Sequence, residues 1–302
     1  MSNCFKKILW SFWYWLLIKP YKWLLLKLFT IRPQLSVMSL RRFLKHKDGP
    51  LLVVVAFNNE RLIRMQIERL KKYSVENFQL LITDNSSDEQ IAAKIQTICY
   101  AEKVSYIRVP RQRLFRLSDS HGIALNWVYY QIIRKTNFDI VGFLDHDIFP
   151  VKQFTISAIL GHRNMYGVKH YAVHENNKDV WDSTTPDLWY LWPGFTFFRL
   201  KYIRKMKVDF MPMFLGNVYF DTGGSNWKHI YSNTGADDAG FASWDQVKIG
   251  DGQVRQYDYV ELIDASWVHM INGSFWKNNE DYSDILNGKM RFIIHREKSD
   301  SF

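Results

Sequence analysis

Asp145, His146 and Asp147 stand directly after an apolar stretch, FDIVGFL, where a buried strand would run out. Residues i and i+2 of a strand share a face, so this spacing aims both carboxylates the same way. Paired oxygen ligands of this kind suit Mg²⁺ or Mn²⁺, which can also grip a diphosphate. Solvated loop acids produce the same triplet, so its place behind a hydrophobic strand is what gives it weight. Asp84 closes a second apolar run, FQLLITD (78–84). Asp221 opens the group Asp221-Thr222-Gly223-Gly224. That group offers a carboxylate able to take a hydroxyl proton, or else a Gly-rich turn with a capping Asp. His269 lies in the aromatic segment WVHMINGSFW (267–276), where a satisfied core histidine is the ordinary fate. His170 and His174 are four residues apart but lack the metalloprotease pattern, so a structural or solvent-facing role is expected. Arg111, Arg113 and Arg116 face either a phosphate or only solvent.

The elements that must position these acids follow an alternating pattern from residue 51. LLVVVAF (51–57) is a buried-strand run, and Leu62, Ile63, Ile67 and Leu70 then recur at helical spacing over 59–73. Strand 78–84, helix 88–99, strand VSYIRV (104–109), helix 119–135 and strand FDIVGFLDHD (138–147) complete the series. Repeated strand–helix units of this length predict an α/β fold, a mostly parallel central sheet flanked by helices. Ligands of such sheets bind beyond the carboxyl ends of the strands, where Asp84, Asp145 and Asp147 all fall.

In order and spacing these segments resemble a GT-A glycosyltransferase, most closely the family-2 group of nucleotide-diphospho-sugar transferases. AFNNERLIRMQIERL (56–70) resembles the opening strand–turn–helix of that family, which implies donor-nucleotide contacts for Phe57, Asn58 and Glu60. ITDNSSDEQ (82–90) resembles its second strand end, which implies a base or ribose contact for Asp84. HGIALNWVYY (121–130) resembles the helix before the metal motif, with Gly122 and Asn126 as the only matches to that helix's Gly-x-x-x-Ala-Arg-Asn. FLDHDIFP (143–150) resembles the Asp-x-Asp strand, so Asp145 and Asp147 would hold the diphosphate and its metal. WPGFTFFRL (192–200) resembles the acceptor segment, which implies Trp192 and Gly194 there. The resemblance implies a catalytic base near Asp221, although the family's Glu before that Asp is missing; Asp238 and Asp237 stand in reserve. It also implies His269 as a third metal ligand. The likeness is good over 51–150, the nucleotide-sugar half, and loose over 151–302, the acceptor half. It implies transfer of a sugar, most readily from a UDP-sugar, to a glycan or lipid-linked acceptor.

Charge divides the chain. Of 40 Lys and Arg, ten lie in residues 1–50 beside a single acid, Asp48, so the formal +10 belongs almost wholly to this segment. The body, with 30 basic and 29 acidic residues, is nearly neutral, which argues against nucleic acid as a partner and against a non-catalytic binding protein. A sugar nucleotidyltransferase, the other rival, would carry a Gly-rich loop after strand one, and AFNNER has no Gly. The runs ILWSFWYWLLI (8–18) and YKWLLLKLFTI (21–31) are parted by Lys19-Pro20, and each falls short of the ~20 residues of a spanning helix. Residues 1–31 are expected to form an arm lying on an anionic membrane surface, with Trp10, Trp13, Trp15 and Trp23 at headgroup depth. A single-pass anchor and a hairpin packed on the protein's own core are the alternatives. Residues 32–50 read as a connector. The two cysteines, Cys4 and Cys99, suggest no disulfide framework and favour a reducing, cytoplasmic setting.

Overall fold

The computed structural model describes residues 19–32, 34–45, 48–111, 117–174, 187–235, 237–249, 259–271 and 281–299. Strand β1 (Leu51–Ala56) is buried along its whole length, as its unbroken apolar run requires. Its alternate residues feed two cores. Leu51, Val53 and Val55 join one cluster, with Ala124, Leu125 and Val128 from helix α5 (Leu117–Gln131). Leu52, Val54 and Ala56 join another, with Ile63, Ile67 and Leu70 from α3 (Glu60–Tyr73) and Ile91, Ile95 and Ile98 from α4 (Glu89–Ala101). Each fully buried aliphatic chain contributes about 1.5–3 kcal/mol, so helices on both faces hold the sheet without a covalent crosslink.

Seven strands run in the order β11-β6-β8-β4-β1-β2-β3. Strands β1, β2 (Gln79–Asp84), β3 (Ser105–Arg108) and β4 (Ile140–Asp145) are mutually parallel, as expected from the strand–helix repeat. Strand β8 (Trp189–Arg199) enters antiparallel between β4 and β6 (Met165–Tyr171), and β11 (Ala239–Ala242) pairs parallel to β6. The reversal at β8 was not visible in the alternation of the first half.

The expected strand over 138–147 stops at Asp145. Residues 146–147 turn, and β5 (Ile148–Pro150) leaves the main sheet for a four-stranded antiparallel one, in the order β12-β13-β14-β5. That second sheet, with β12 (Trp244–Lys248), β13 (Tyr259–Ile263) and β14 (Trp267–His269), is therefore anchored at the carboxyl end of β4. Strands β7 (Val173–His174), β9 (Met213–Leu215) and β10 (Val218–Phe220) form a small third sheet.

Residues 1–18, with Trp10, Trp13 and Trp15, lie outside the described residues. Helix α1 (Lys19–Ile31) does not stand apart from the body: Trp127 Nε1 donates to Arg32 O at 3.2 Å and Gln131 Nε2 to Thr30 O at 2.6 Å. The expected connector contains a second helix, α2 (Leu35–Leu44), whose Val37 and Leu44 are buried in the α5-side core. Among the described residues no helix is long and apolar enough to cross a membrane.

Gly122 and Asn126 explain their own presence in α5. A Cβ on Gly122 would meet Phe210 O at 2.6 Å, so the helix touches the 209–211 loop directly. Asn126 Nδ2 donates to Asp209 Oδ1 at 2.8 Å, and its Oδ1 accepts from Phe210 N at 2.9 Å. Replacing Asn126 by Ala leaves the buried Phe210 amide without that acceptor. Urea denaturation of Asn126→Ala is expected to show a loss of about 1–3 kcal/mol.

Candidate metal centre

Gln66, on the buried face of α3, donates from Nε2 to both Asp145 O at 2.7 Å and Ile148 O at 2.9 Å. This clamp fixes the turn that carries Asp147. Strand β14 pairs with β5 in the register His269↔Ile148, and Met270 N donates to Asp147 O at 2.9 Å. The result is a group of one ligand atom each from Asp145, Asp147 and His269, all within 4.8 Å of one another. The carboxylates converge because the chain turns at 146–147, not because they alternate along one strand.

The imidazole of His269 is aimed by a neighbour that sequence reasoning missed. Nδ1 of His269 lies 2.6 Å from Glu261 Oε2, and Nε2 lies 3.4 Å from Asp147 Oδ1. A carboxylate holding one ring nitrogen leaves the other as a ligand atom, the arrangement that orients metal-binding histidines. Glu261 carries no motif; only its place two residues from the end of a strand paired with β14 could have hinted at it. His121, in the first turns of α5, was also missed: its Nε2 is 3.6 Å from Asp145 Oδ1. The donor set, two carboxylates and an imidazole, fits Mn²⁺ or Mg²⁺.

Electrostatics agree with a cation-seeking site. Burial pushes the Asp145 carboxyl up from its ordinary value; His121 counters this, while Asp147 adds to it. Burial alone would depress His269, but Asp147 and Glu261 override it and lift the imidazole to about 10. Burial also opposes ionisation of Glu261, yet its bond to His269 brings the carboxyl below its usual value. Without a metal, His269 is thus the cation between two anions. Its folded value is raised, so this contribution to stability is complete below the unfolded value and fades as pH rises through about 10.

The other expected site residues are only partly brought together. Trp192 lies beside the group, its ring 4.8 Å from that of His269 and stacked on His170 at 5.3 Å and 9°. His170, expected to be structural, is part of this aromatic wall, and burial pushes it down to about 4. Gly194 makes room for the wall: a Cβ there would lie 2.1 Å from the Trp192 indole. Asp221 follows β10, accepts from Tyr219 OH at 3.1 Å, and is close enough to act electrostatically on His170. Asp238 is not at the site. It precedes β11 and binds Asn164 Nδ2 at 2.5 Å beside the start of β6, at the opposite end of the sheet from Asp145, and the exposed Asp237 adjoins it. Strand β11 runs in the same direction as β4, so a residue that precedes it lies at the amino ends of the strands and not at their carboxyl ends.

On the donor side, Asn58 adopts φ +49° and locks the turn after β1 to the next loop, donating to Ser87 Oγ and accepting from Asp88 N at 3.0 Å. Glu60 opens α3 and meets Lys94 at 3.3 Å, and the half-buried Phe57 precedes them. Asp84 is wholly buried and already engaged: it accepts from Ser86 N at 2.9 Å and Tyr106 OH at 2.8 Å and pairs with Arg108 at 3.3 Å. In this arrangement it organises the loops around the strand ends. Arg111 is exposed, and Arg113 and Arg116 lie outside the described residues.

No protein-family model matches the chain, and no curated protein is significantly similar to it. Solved structures similar to it include a mannosyltransferase from Pyrobaculum calidifontis in complex with GDP-Man and Mn²⁺, at 14% identity and TM-score 0.37, covering 68% of this chain and 56% of that one. They also include S. aureus TarS in complex with UDP-GlcNAc, at 15% identity and TM-score 0.35, covering 52% and 46%. A third is glucosyl-3-phosphoglycerate synthase from Mycobacterium tuberculosis with Mn²⁺, UDP-glucose and phosphoglyceric acid, at 17% identity and TM-score 0.33, covering 57% and 63%. In each case the chain spans less than two thirds of the matched structure. The functional reading rests on the site itself.

Because His269 must give up a proton to become a ligand, Mn²⁺ should bind more tightly as pH rises, by about tenfold per unit below the value of about 10. Titration followed by the Mn²⁺ electron paramagnetic resonance signal checks this. In Glu261→Gln, which removes one of the two anions lifting His269, the rise should level off at a lower pH than in the wild type.

Proposed function

We propose that the protein is a divalent-metal-dependent glycosyltransferase that moves a sugar from a nucleoside-diphosphate sugar to a hydroxyl acceptor. The observation that carries this reading is the convergence of Asp145, Asp147 and His269 at the carboxyl edge of a mostly parallel sheet, next to the aromatic wall of Trp192 and His170. Open α/β sheets bind ligands at that edge, and two carboxylates with one imidazole suit an ion that neutralises a diphosphate.

In this scheme Asp145, Asp147 and His269 hold the ion, and Glu261 fixes the His269 tautomer. A bound Mn²⁺ or Mg²⁺ would supply stabilisation of the charge that develops on the departing diphosphate. The turn at Phe57, Asn58 and Glu60 borders the nucleotide, and Asp84 sets the shape of that border through Ser86, Tyr106 and Arg108. Trp192 lines the acceptor side, with Gly194 giving it the space to do so. Asp221, held by Tyr219, is the base: it takes the acceptor hydroxyl proton as that oxygen bonds to the anomeric carbon and the bond to the diphosphate oxygen breaks.

The setting we propose is a membrane surface, with the N-terminal segment lying on anionic lipid and a glycan or lipid-linked acceptor. The support is the ten basic residues of the first fifty and the apolar outer side of α1, where Tyr21, Leu24, Leu28 and Ile31 are 48–65% exposed.

The test is to incubate the full chain with UDP- and GDP-sugars, with and without Mn²⁺, and to follow nucleoside diphosphate release. Metal-dependent release is expected. Pyrophosphate release would point to a nucleotidyltransferase instead, and no turnover of any donor would overturn the reading. Asp147→Asn should lower turnover at least about a hundredfold without unfolding the protein. Asp221→Asn should lower kcat by about 10²–10⁴ while Mn²⁺ still binds.

A further inference from the structure

A cavity of about 730 Å³ opens between α1, α2 and the end of α5, away from the metal centre. Its size is that of a small-ligand site. Lys27, Arg41, Arg134 and Lys135 reach it from different elements, and none of its eleven lining residues is acidic. Its remaining wall is largely apolar, with Ile31, Val37 and Met38. Arg41 is held rigidly, its guanidinium donating to the backbone and side-chain oxygens of Gln131. Burial lowers the affinity of Lys135 for its proton, and the neighbouring Arg41 and Arg134 lower it further. Cations that repel one another in a partly dry hollow are relieved by an anion.

The surroundings of the cavity narrow the choice of anion. Helix α1 is apolar on both sides. Phe29 packs inward on the core, while Tyr21, Leu24, Leu28 and Ile31 recur at intervals of three and four along the outside, at 48–65% exposed. Met38, on the cavity rim in α2, is 67% exposed and Phe43 is 52% exposed. An apolar row on a helix needs cover, and none of the described residues covers this one. A row of exposed apolar side chains beside a basic hollow matches a lipid, with chains against the row and headgroup in the hollow.

The geometry points to this cavity as a binding site for the headgroup phosphate of an anionic phospholipid, seated from the bilayer on which α1 and α2 rest. The inference rests on the membrane setting proposed above and extends it from general charge attraction to a defined site. It is independent of sugar transfer.

The test uses the full chain and flotation with phosphatidylcholine vesicles, with or without phosphatidylglycerol. The double variant Arg134→Ala with Lys135→Ala should lose about tenfold or more in partitioning onto phosphatidylglycerol vesicles. A charge-matched pair at exposed positions elsewhere, Lys228→Ala with Lys248→Ala, should lose about twofold or less. Equal losses would mean that only net charge matters and would overturn the site. Wild-type partitioning of the double variant would overturn it as well. Lys135→Glu serves as a second variant if the first fails to fold, with the same expectation. Calorimetry with a water-soluble short-chain phosphatidylglycerol should give binding that the double variant lacks. Binding of inorganic phosphate alone, with no binding of the short-chain lipid, would assign the hollow to a free anion and overturn the proposal. Donor cleavage by the double variant should match wild type, so failure of the lipid site is separable from failure of the transferase reading.

Discussion

The passage of β4 into β5 is the constraint on which the site depends. A strand that ends in two aspartates would normally release them into solvent. Here the buried amide of Gln66 bridges the carbonyls of Asp145 and Ile148 and forces the chain into a tight turn. The turn transfers the chain from the parallel sheet to the antiparallel one. That second sheet then delivers His269 and, through the neighbouring strand, Glu261. Residues more than a hundred positions apart meet because two sheets share one corner.

Much of this was legible in the sequence, for a physical reason. Buried parallel strands are continuous apolar runs, so β1, β2 and β4 announced themselves, and the acids that end β2 and β4 marked the carboxyl edge. The strand–helix repeat fixed both faces of the sheet. What stayed hidden depends on long-range pairing. Nothing local in WYLWPGFTFFR says that β8 runs antiparallel between β4 and β6. Nor does anything local say that Asp238 precedes a strand running in the direction of β4, which sets it at the opposite end of the sheet from Asp145. Glu261 and His121 belong to no motif and matter only through where they are folded. Asp84 ends its strand as read, while its contacts with Ser86, Tyr106 and Arg108 were not legible because they join separate segments.

The buried charges of the site balance only if a cation is present. Asp145, Asp147 and Glu261 are brought together around His269, and burial penalises the ionised carboxyls of Asp145 and Glu261. Without a metal, protonated His269 answers Asp147 and Glu261, and the imidazole of His121 stands beside Asp145 at the rim. A buried charge left unpaired would cost several kcal/mol, so the imidazolium acts as a resident counter-ion that keeps the site folded. A divalent ion would take over that role and displace the proton. The same group then serves fold and site in turn, at the expense of competition between proton and metal.

Helix α5 ties this centre to the opposite end of the molecule. His121 stands in its first turns beside Asp145, and Gln131 ends it against α1 and Arg41. Ten residues of α-helix separate them by about 15 Å along the axis. If α1 and α2 rest on a bilayer, the metal centre lies at the far end of this helix from the contact. Transfer would then favour an acceptor hydroxyl held away from the lipid surface, such as one on an extended headgroup or a growing glycan, over one buried among headgroups. Gly122 and Asn126 keep α5 fixed between the two ends by anchoring it to the 209–211 loop. A helix pinned in its middle holds the distance between surface and site constant, which a flexible connector in its place would not.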